Sequence, residues 1–174
     1  MKVKILRETG LEEALIGLSL SYNAPLEKMP KVAKRLAARD NGENKFLESI
    51  QVWLDVTAPR YWWQQFDTYR VGVTKQSEST MHTWKRRAFS AEAFVEGVDP
   101  MILAKLECAR QGGDFGYVKR NLPEGFLQRR VVCTNYKVLR HVVRQRRDHK
   151  LVEWTEFILA LGDLAHSDWI GETK

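Results

Sequence analysis

The segment from Asn135 to Arg147 constrains the fold of this chain more than any other. At about 100° per residue in an α-helix, Leu139, Val142 and Val143 form one apolar stripe, with Asn135 at its start and Arg146 at its end. Lys137, Arg140, Arg144 and Arg147 fall on the opposite face, where water or a diffuse anion suffices for them. A guanidinium in line with a buried stripe is a different matter, because an unpaired buried charge is strongly unfavourable. Arg146 therefore needs a partner. That partner is either a core carboxylate, in a structural ion pair, or the carboxylate or phosphate of a ligand, which the planar fork of arginine grips bidentately.

The same region concentrates the charge. Residues 119–150 hold ten Lys and Arg against Glu124 and Asp148, a balance of +8, while the rest of the chain sums to −2 to give the net +6. Such an excess suits an anionic ligand or partner, or else a solvated helix face. With 174 residues, 44 % of them hydrophobic, the chain can bury the core of one domain but hardly of two, and disorder is excluded. Cys108 and Cys133 form no C-x-x-C pair and have no cluster of His ligands beside them, so no disulfide framework and no metal site is expected, and a reduced, intracellular setting fits. The opening MKVKILRETG lacks the apolar core of a secretion signal, and no stretch approaches the roughly eighteen apolar residues of a membrane span. A soluble, cytoplasmic protein without a membrane partner is the expectation.

Periodicity places the elements. Helices are expected around 11–18 and over 26–39, the latter carrying Leu26, Met29, Val32, Ala33 and Leu36 at helical spacing and ended by Arg39-Asp40-Asn41-Gly42. Residues 47–56 alternate Ile50, Val52 and Leu54 with Gln51, Trp53 and Asp55, as a strand does. Pro59 then opens a helix over about 59–70 with Trp62, Phe66 and Tyr69 in one stripe, Gln65 at its edge and Arg70 closing it. An aromatic stripe is ordinarily core. Gln65 beside it, however, suits the edge of a pyrimidine-like ring, since an amide both donates and accepts. The polar run 74–83 reads as a surface or binding loop. Helices follow around 90–97 and from Asp99-Pro100 to Gly112-Gly113, then a turn at Leu122-Pro123-Glu124-Gly125, a strand over 126–134, the basic helix 135–147 and an apolar helix over 150–165. The class is α+β, a helix-rich single domain spanning 1–174 with a small, mostly antiparallel sheet.

These segments together resemble the flavin-dependent thymidylate synthases, the ThyX family. That family has an aromatic-rich helix with a Gln five residues ahead of the last Arg of an R-H-R triplet, and Gln65 keeps that spacing to Arg70 in Thr68-Tyr69-Arg70. The family loop S-x-N-E-x-S-x-R-Y resembles Gln76-Ser77-Glu78-Ser79-Thr80-Met81-His82 in composition. Later the family shows a basic residue, L-P, a strand, T-x-N-x-R-x-L, a helix ending L-R, and H-A-Q-W-E. This chain has Lys119-Arg120-Asn121-Leu122-Pro123, Thr134-Asn135-Tyr136-Lys137-Val138-Leu139, Gln145-Arg146, His149 and Glu153-Trp154, with matching spacings from Pro123 to Asn135 and from Asn135 to Arg146. The likeness covers roughly residues 46–84 and 117–157.

The resemblance implies a ThyX-like fold and a ligand set. A pyrimidine deoxynucleotide of the dUMP type would be bound by Gln65, Arg146, Lys119, Arg120 and Ser79, and FAD by Tyr69, Arg70, Asn135 and His141. The implied reaction transfers a one-carbon unit and a hydride to the pyrimidine, with methylenetetrahydrofolate and NADPH as co-substrates and no cysteine nucleophile. A variant finishing by hydration would make a hydroxymethyl pyrimidine. A homotetramer with shared active sites is also implied. No residue is assigned as catalytic acid, base or nucleophile. The chain departs from the family pattern in three places: the first two positions of R-H-R are Thr68 and Tyr69, the loop Arg falls on Thr80 or Met81, and the His of L-E-H is Ser49. The alternative is a nucleotide- or nucleic-acid-binding protein, or a fold-retaining interaction protein, that has lost the family's catalysis.

Overall fold

Ile50, Val52, Leu54, Val56 and Ala58 are all buried to within 2 % of full burial, whereas Trp53 between them is 39 % exposed. This is the two-residue period of a strand with one face on a core. It belongs to β2, Gln51–Pro59, in a computed structural model that describes residues 1–40, 42–95 and 97–171. Asn41 of the helix-ending run and Glu96 of the expected 90–97 helix lie outside the described residues.

Among the described residues the elements run β1 (Lys2–Thr9), α1 (Leu11–Tyr22), α2 (Met29–Ala37), β2, α3 (Arg60–Phe66), β3 (Thr74–Ser77), α4 (Thr80–Arg86), α5 (Pro100–Gln111), α6 (Phe115–Asn121), β4 (Leu127–Asn135), α7 (Tyr136–Arg146) and α8 (Val152–Ala160). The strands form one sheet in the order β1-β2-β4-β3. Backbone bonds from Tyr136 to Ile50 and from Arg60 to Phe126 mark the two ends of the antiparallel β2–β4 register. The helix-rich α+β class read from the sequence is the observed one.

The chain gathers into two compact units. The first comprises Met1–Val56, Tyr69–Lys75 and Val131–Lys174. Its interior includes Ala33, Leu47, Val52, Leu54, Leu139, Val142, Val143, Trp154, Phe157 and Leu161, all fully buried, each such large side chain contributing about 1.5–3 kcal/mol of burial free energy. α7 presents to this core the stripe expected of it. Gly10 joins β1 to α1 at φ +88, and a Cβ there would stand 2.3 Å from the Ser49 carbonyl oxygen, so only glycine fits the turn. The C-terminal turn is tied down by Tyr136, fully buried, whose hydroxyl donates to Glu8 and accepts from the His166 amide at 3.3 Å.

The second unit comprises Thr57–Thr68 and Gln76–Arg130. Trp84, Phe89, Phe94, Leu106, Val118, Leu122 and Phe126 form its core. α3 begins on the 122–126 turn: Arg60 donates to the Leu122 carbonyl at 2.7 Å and pairs with Glu124 at 3.4 Å. On β4, Arg130 lies over the Trp63 ring at 4.3 Å and grips both Asp67 oxygens at 3.0 and 3.1 Å.

Several boundaries differ from expectation. Residues 45–48 are a 3-10 turn, and the strand starts only at Gln51. α3 stops at Phe66, because Thr68 closes the Gln65 carbonyl with both its amide and its hydroxyl. The stretch 74–83 holds a strand and most of a helix, and the expected 90–97 helix reduces to a 3-10 turn at Ala91–Ala93. The expected 150–165 helix ends at Ala160 and continues as a 3-10 turn. β1, where Lys2-Val3-Lys4-Ile5 alternates polar with apolar and burial follows the alternation, and α6 are elements that the expected set does not contain.

Candidate functional site

Arg146 closes α7, and its guanidinium is held from two sides. Its Nε donates to the Tyr69 hydroxyl at 2.9 Å, and its plane lies 4.6 Å from the Trp154 ring centroid and 5.7 Å from that of Tyr69. Both supports are buried, Trp154 completely and Tyr69 to 8 % exposure. An arginine lying on an indole face in a partly desolvated setting gains about 1–2 kcal/mol from the ring quadrupole. The Tyr69 hydroxyl passes its own proton to Gln145 Oε1 at 2.9 Å, so one phenol orders two neighbours on α7. The requirement read from the sequence, that Arg146 have a partner, is met in part by a phenol and an aromatic face.

Tyr69 reaches this place because Tyr69–Lys75 folds back along α7. Gly72 makes the approach, with φ +68 and a Cβ position 3.0 Å from both Asn135 Nδ2 and Val138 Cγ2. Asn135 caps α7, its Oδ1 accepting from the Val138 amide at 3.0 Å, as an N-cap residue does. His141 is exposed and meets the Tyr69 ring edge-on at 6.1 Å, and Arg70 is exposed beside them. His149 packs against Trp154 at 6.1 Å while its Nδ1 accepts from the Leu151 amide, which shapes the α7–α8 turn. The first unit thus gathers Tyr69, Arg70, Asn135, His141 and Arg146 of the expected residues. Gln145 and Gly72 are additions that only the fold-back of 69–75 reveals.

In the second unit Lys119 donates to the buried Thr80 hydroxyl at 3.3 Å and stands 5.8 Å from the Trp84 ring, which places it beside the segment that carries Ser79. Ser79 precedes α4 and is exposed; its carbonyl accepts from Thr83, while its side chain makes no capping bond. Glu78 does not project from a loop: its Oε1 accepts from the Arg129 amide at 3.2 Å. Arg120 is exposed on α6. Gln65 is half-buried on the last turn of α3.

One expectation is corrected. The basic face of α7 is not left to water: Asp40 accepts from Arg140 at 3.4 Å and from Arg144, while Lys137 donates to the buried Asn44. Against a desolvation that would raise it, Arg140 and Arg144 hold the Asp40 carboxyl below its ordinary value. Cys108 is exposed, and burial pushes the Cys133 thiol up, the reverse of what an attacking thiolate requires.

No protein-family model and no curated protein matches this sequence. Solved structures do match it. A crystal structure of Thymidylate Synthase X (ThyX) from Helicobacter pylori with FAD and dUMP is similar over 99 % of both chains, with a TM-score of 0.80 and 18 % identity. A second, of flavin-dependent thymidylate synthase ThyX from the same organism complexed with FAD and dUMP, is similar over 98 % of both chains, again at 0.80 and 18 %. The chain has the fold of these proteins. Among the described residues no helix is long and apolar enough to cross a membrane.

Proposed function

We propose that this chain is a flavin-dependent, thymidylate-synthase-like enzyme that transfers a one-carbon unit and a hydride to a pyrimidine deoxynucleotide of the dUMP type. The observation that carries the reading is the Arg146 guanidinium, fixed by Tyr69 and Trp154 in line with a buried helix stripe. A cation ordered in this way is prepared for an anionic ligand without further loss of side-chain entropy. Lys119, ordered on Thr80, supplies a second cation for the nucleotide, with Arg120, Ser79 and Gln65 as its other proposed contacts.

The residues proposed for FAD fit it in chemistry. Arg70 is an exposed cation for a pyrophosphate, Asn135 keeps its Nδ2 as a donor while Oδ1 caps α7, and His141 and Tyr69 offer ring faces and edges. When bound, reduced flavin supplies a hydride. Methylenetetrahydrofolate as carbon source, NADPH as reductant, a homotetramer and a cytoplasmic setting complete the proposal. A single-domain organisation over 1–174 is part of it.

A second reading, a nucleotide-binding protein without the flavin reaction, is favoured by the commitment of Asn135 Oδ1 to the helix cap, which removes one flavin-directed acceptor. The two separate on one experiment. The purified protein is incubated with FAD, NADPH, methylenetetrahydrofolate and dUMP, and the nucleotide products are weighed by mass spectrometry. A methyl product supports the synthase reaction and a hydroxymethyl product its hydrating variant. No conversion, with flavin eluting apart from the protein in both oxidised and reduced states, overturns the flavoenzyme reading; dUMP binding then supports the second.

A further inference from the structure

We infer that Thr80 is the positioning residue of Lys119 and, through it, makes the site select a pyrimidine nucleotide over the nucleoside that lacks its phosphate. The inference rests on the nucleotide reading given above and assigns to Thr80 a part that the substrate-contact expectation does not contain. Thr80 and Trp84 lie one turn apart on α4 and so share a face; both are buried. The Thr80 hydroxyl accepts from Lys119 Nζ at 3.3 Å, and the Trp84 ring stands 5.8 Å from the same nitrogen. One hydroxyl and one ring therefore seat the ammonium. Neither support is loose. Before α4, the Glu78 amide donates to the Arg129 carbonyl at 3.0 Å, and the Glu78 carboxylate accepts from the Arg129 amide at 3.2 Å. At the other end, Arg110 donates to the Trp84 carbonyl at 3.3 Å and Glu107 accepts from the Phe89 amide at 3.0 Å.

The seat separates two cations that the sequence leaves equivalent. Lys119 follows Val118, which is fully buried in the core of the second unit, so its stem leaves α6 from a fixed point. Arg120 lies back along its own helix instead, its Nη1 3.1 Å from where a Cβ of Gly116 would stand. An ammonium on a flexible four-carbon stem ordinarily loses much rotamer freedom when it meets an anion. With Thr80 holding Lys119, most of that loss is taken in folding rather than in binding. A cation ordered in this way favours a phosphate, through charge-assisted hydrogen bonds, and gains little from a neutral sugar hydroxyl. Thr80 thus acts on the phosphate alone, although it need not touch the ligand.

The test uses the full chain. Thr80→Val keeps the shape and removes the hydroxyl, Thr80→Ser keeps the hydroxyl, and Lys119→Met with the Thr80→Val double variant completes a cycle, each checked for an unchanged fold by its melting curve. Thr80→Ala stands in for a valine variant that misfolds. Affinities for dUMP and for deoxyuridine are measured by calorimetry. Thr80→Val is expected to weaken dUMP binding roughly tenfold, to leave deoxyuridine binding unchanged, and to add nothing to Lys119→Met. Thr80→Ser should bind dUMP as the wild type does. In an Arg120→Met background the effect of Thr80→Val should persist in full. A threonine that only supports α4 would weaken both ligands alike, and that outcome overturns the inference. So does wild-type dUMP affinity in Thr80→Val, or additivity with Lys119→Met. If the wild type binds no dUMP, the nucleotide reading fails by itself. Inorganic phosphate then replaces dUMP in the same cycle, and phosphate binding no tighter in the wild type than in Thr80→Val rejects the positioning role.

Discussion

Asp40 accepts hydrogen bonds from both Arg140 and Arg144, two cations one helical turn apart on α7 and about a hundred residues away in sequence. This one carboxylate takes up much of the like-charge repulsion on a face that the sequence alone presents as free. It also speaks against a general polyanion grip by that face, since both guanidinium groups are already engaged.

The first prediction follows from that arrangement. Asp40→Ala removes the carboxylate from both guanidinium groups, releasing Arg144 and leaving Arg140 its bond to the Ala38 carbonyl at 3.1 Å, so the variant should bind duplex DNA more tightly than the wild type. Its affinity should also depend more steeply on salt, by roughly one to two units in the slope of log K against log salt. Fluorescence anisotropy of a labelled duplex across a salt series measures it. Equal slopes would show that the two arginines never meet phosphate.

Arg146→Ala should cost about 1–3 kcal/mol of stability, from the bond to Tyr69 and the Trp154 face together. It should also weaken dUMP binding about ten- to a hundredfold. Arg147, its exposed neighbour, is the control: Arg147→Ala should shift both by much less. A fall in stability at Arg146 with unchanged dUMP affinity would falsify the ligand role and leave a structural arginine.

Glu107 gives the pH prediction. Two bonds from Arg110, at 2.6 and 2.7 Å, outweigh the desolvation of the carboxyl and, with the Phe89 amide and Gln111, lower its pKa from 4.5 to about 2. A carboxyl lowered on folding contributes stability above its unfolded pKa, and that contribution is lost as the pH falls from about 4.5 towards 2. Glu107→Gln should therefore be less stable than the wild type at pH 7, with the gap narrowing through that window. Urea unfolding at pH 6, 4 and 3 follows it. A gap constant with pH would mean that the bonds to Arg110 do not survive in solution.

Gly72→Ala should lower stability by about 1–2 kcal/mol, from the left-handed backbone at φ +68 and the crowding at Asn135 and Val138. Because Gly72 carries the segment that brings Tyr69 to Arg146, slow exchange of the Arg146 Nε–H should be lost as well. Melting temperature and the ¹⁵N signal together decide whether strain at Gly72 is transmitted to the site.

The sequence by itself determined the faces. Alternation of Ile50, Val52 and Leu54 with Gln51, Trp53 and Asp55 decided which side of β2 is buried, and the 3.6-residue period set Arg146 in line with Leu139, Val142 and Val143. These follow from local geometry, since a side chain's direction is fixed by its distance along a regular element. Only the tertiary structure decided the partners. That α3 ends at Phe66, so that Tyr69 turns back onto α7, and that Asp40 comes to lie against Arg140 and Arg144, depend on where distant chain segments run. A phenol or carboxylate 77 or 100 residues away leaves no trace in the local pattern. Its position is set by the packing of whole elements, and the sequence expresses that only through their sum.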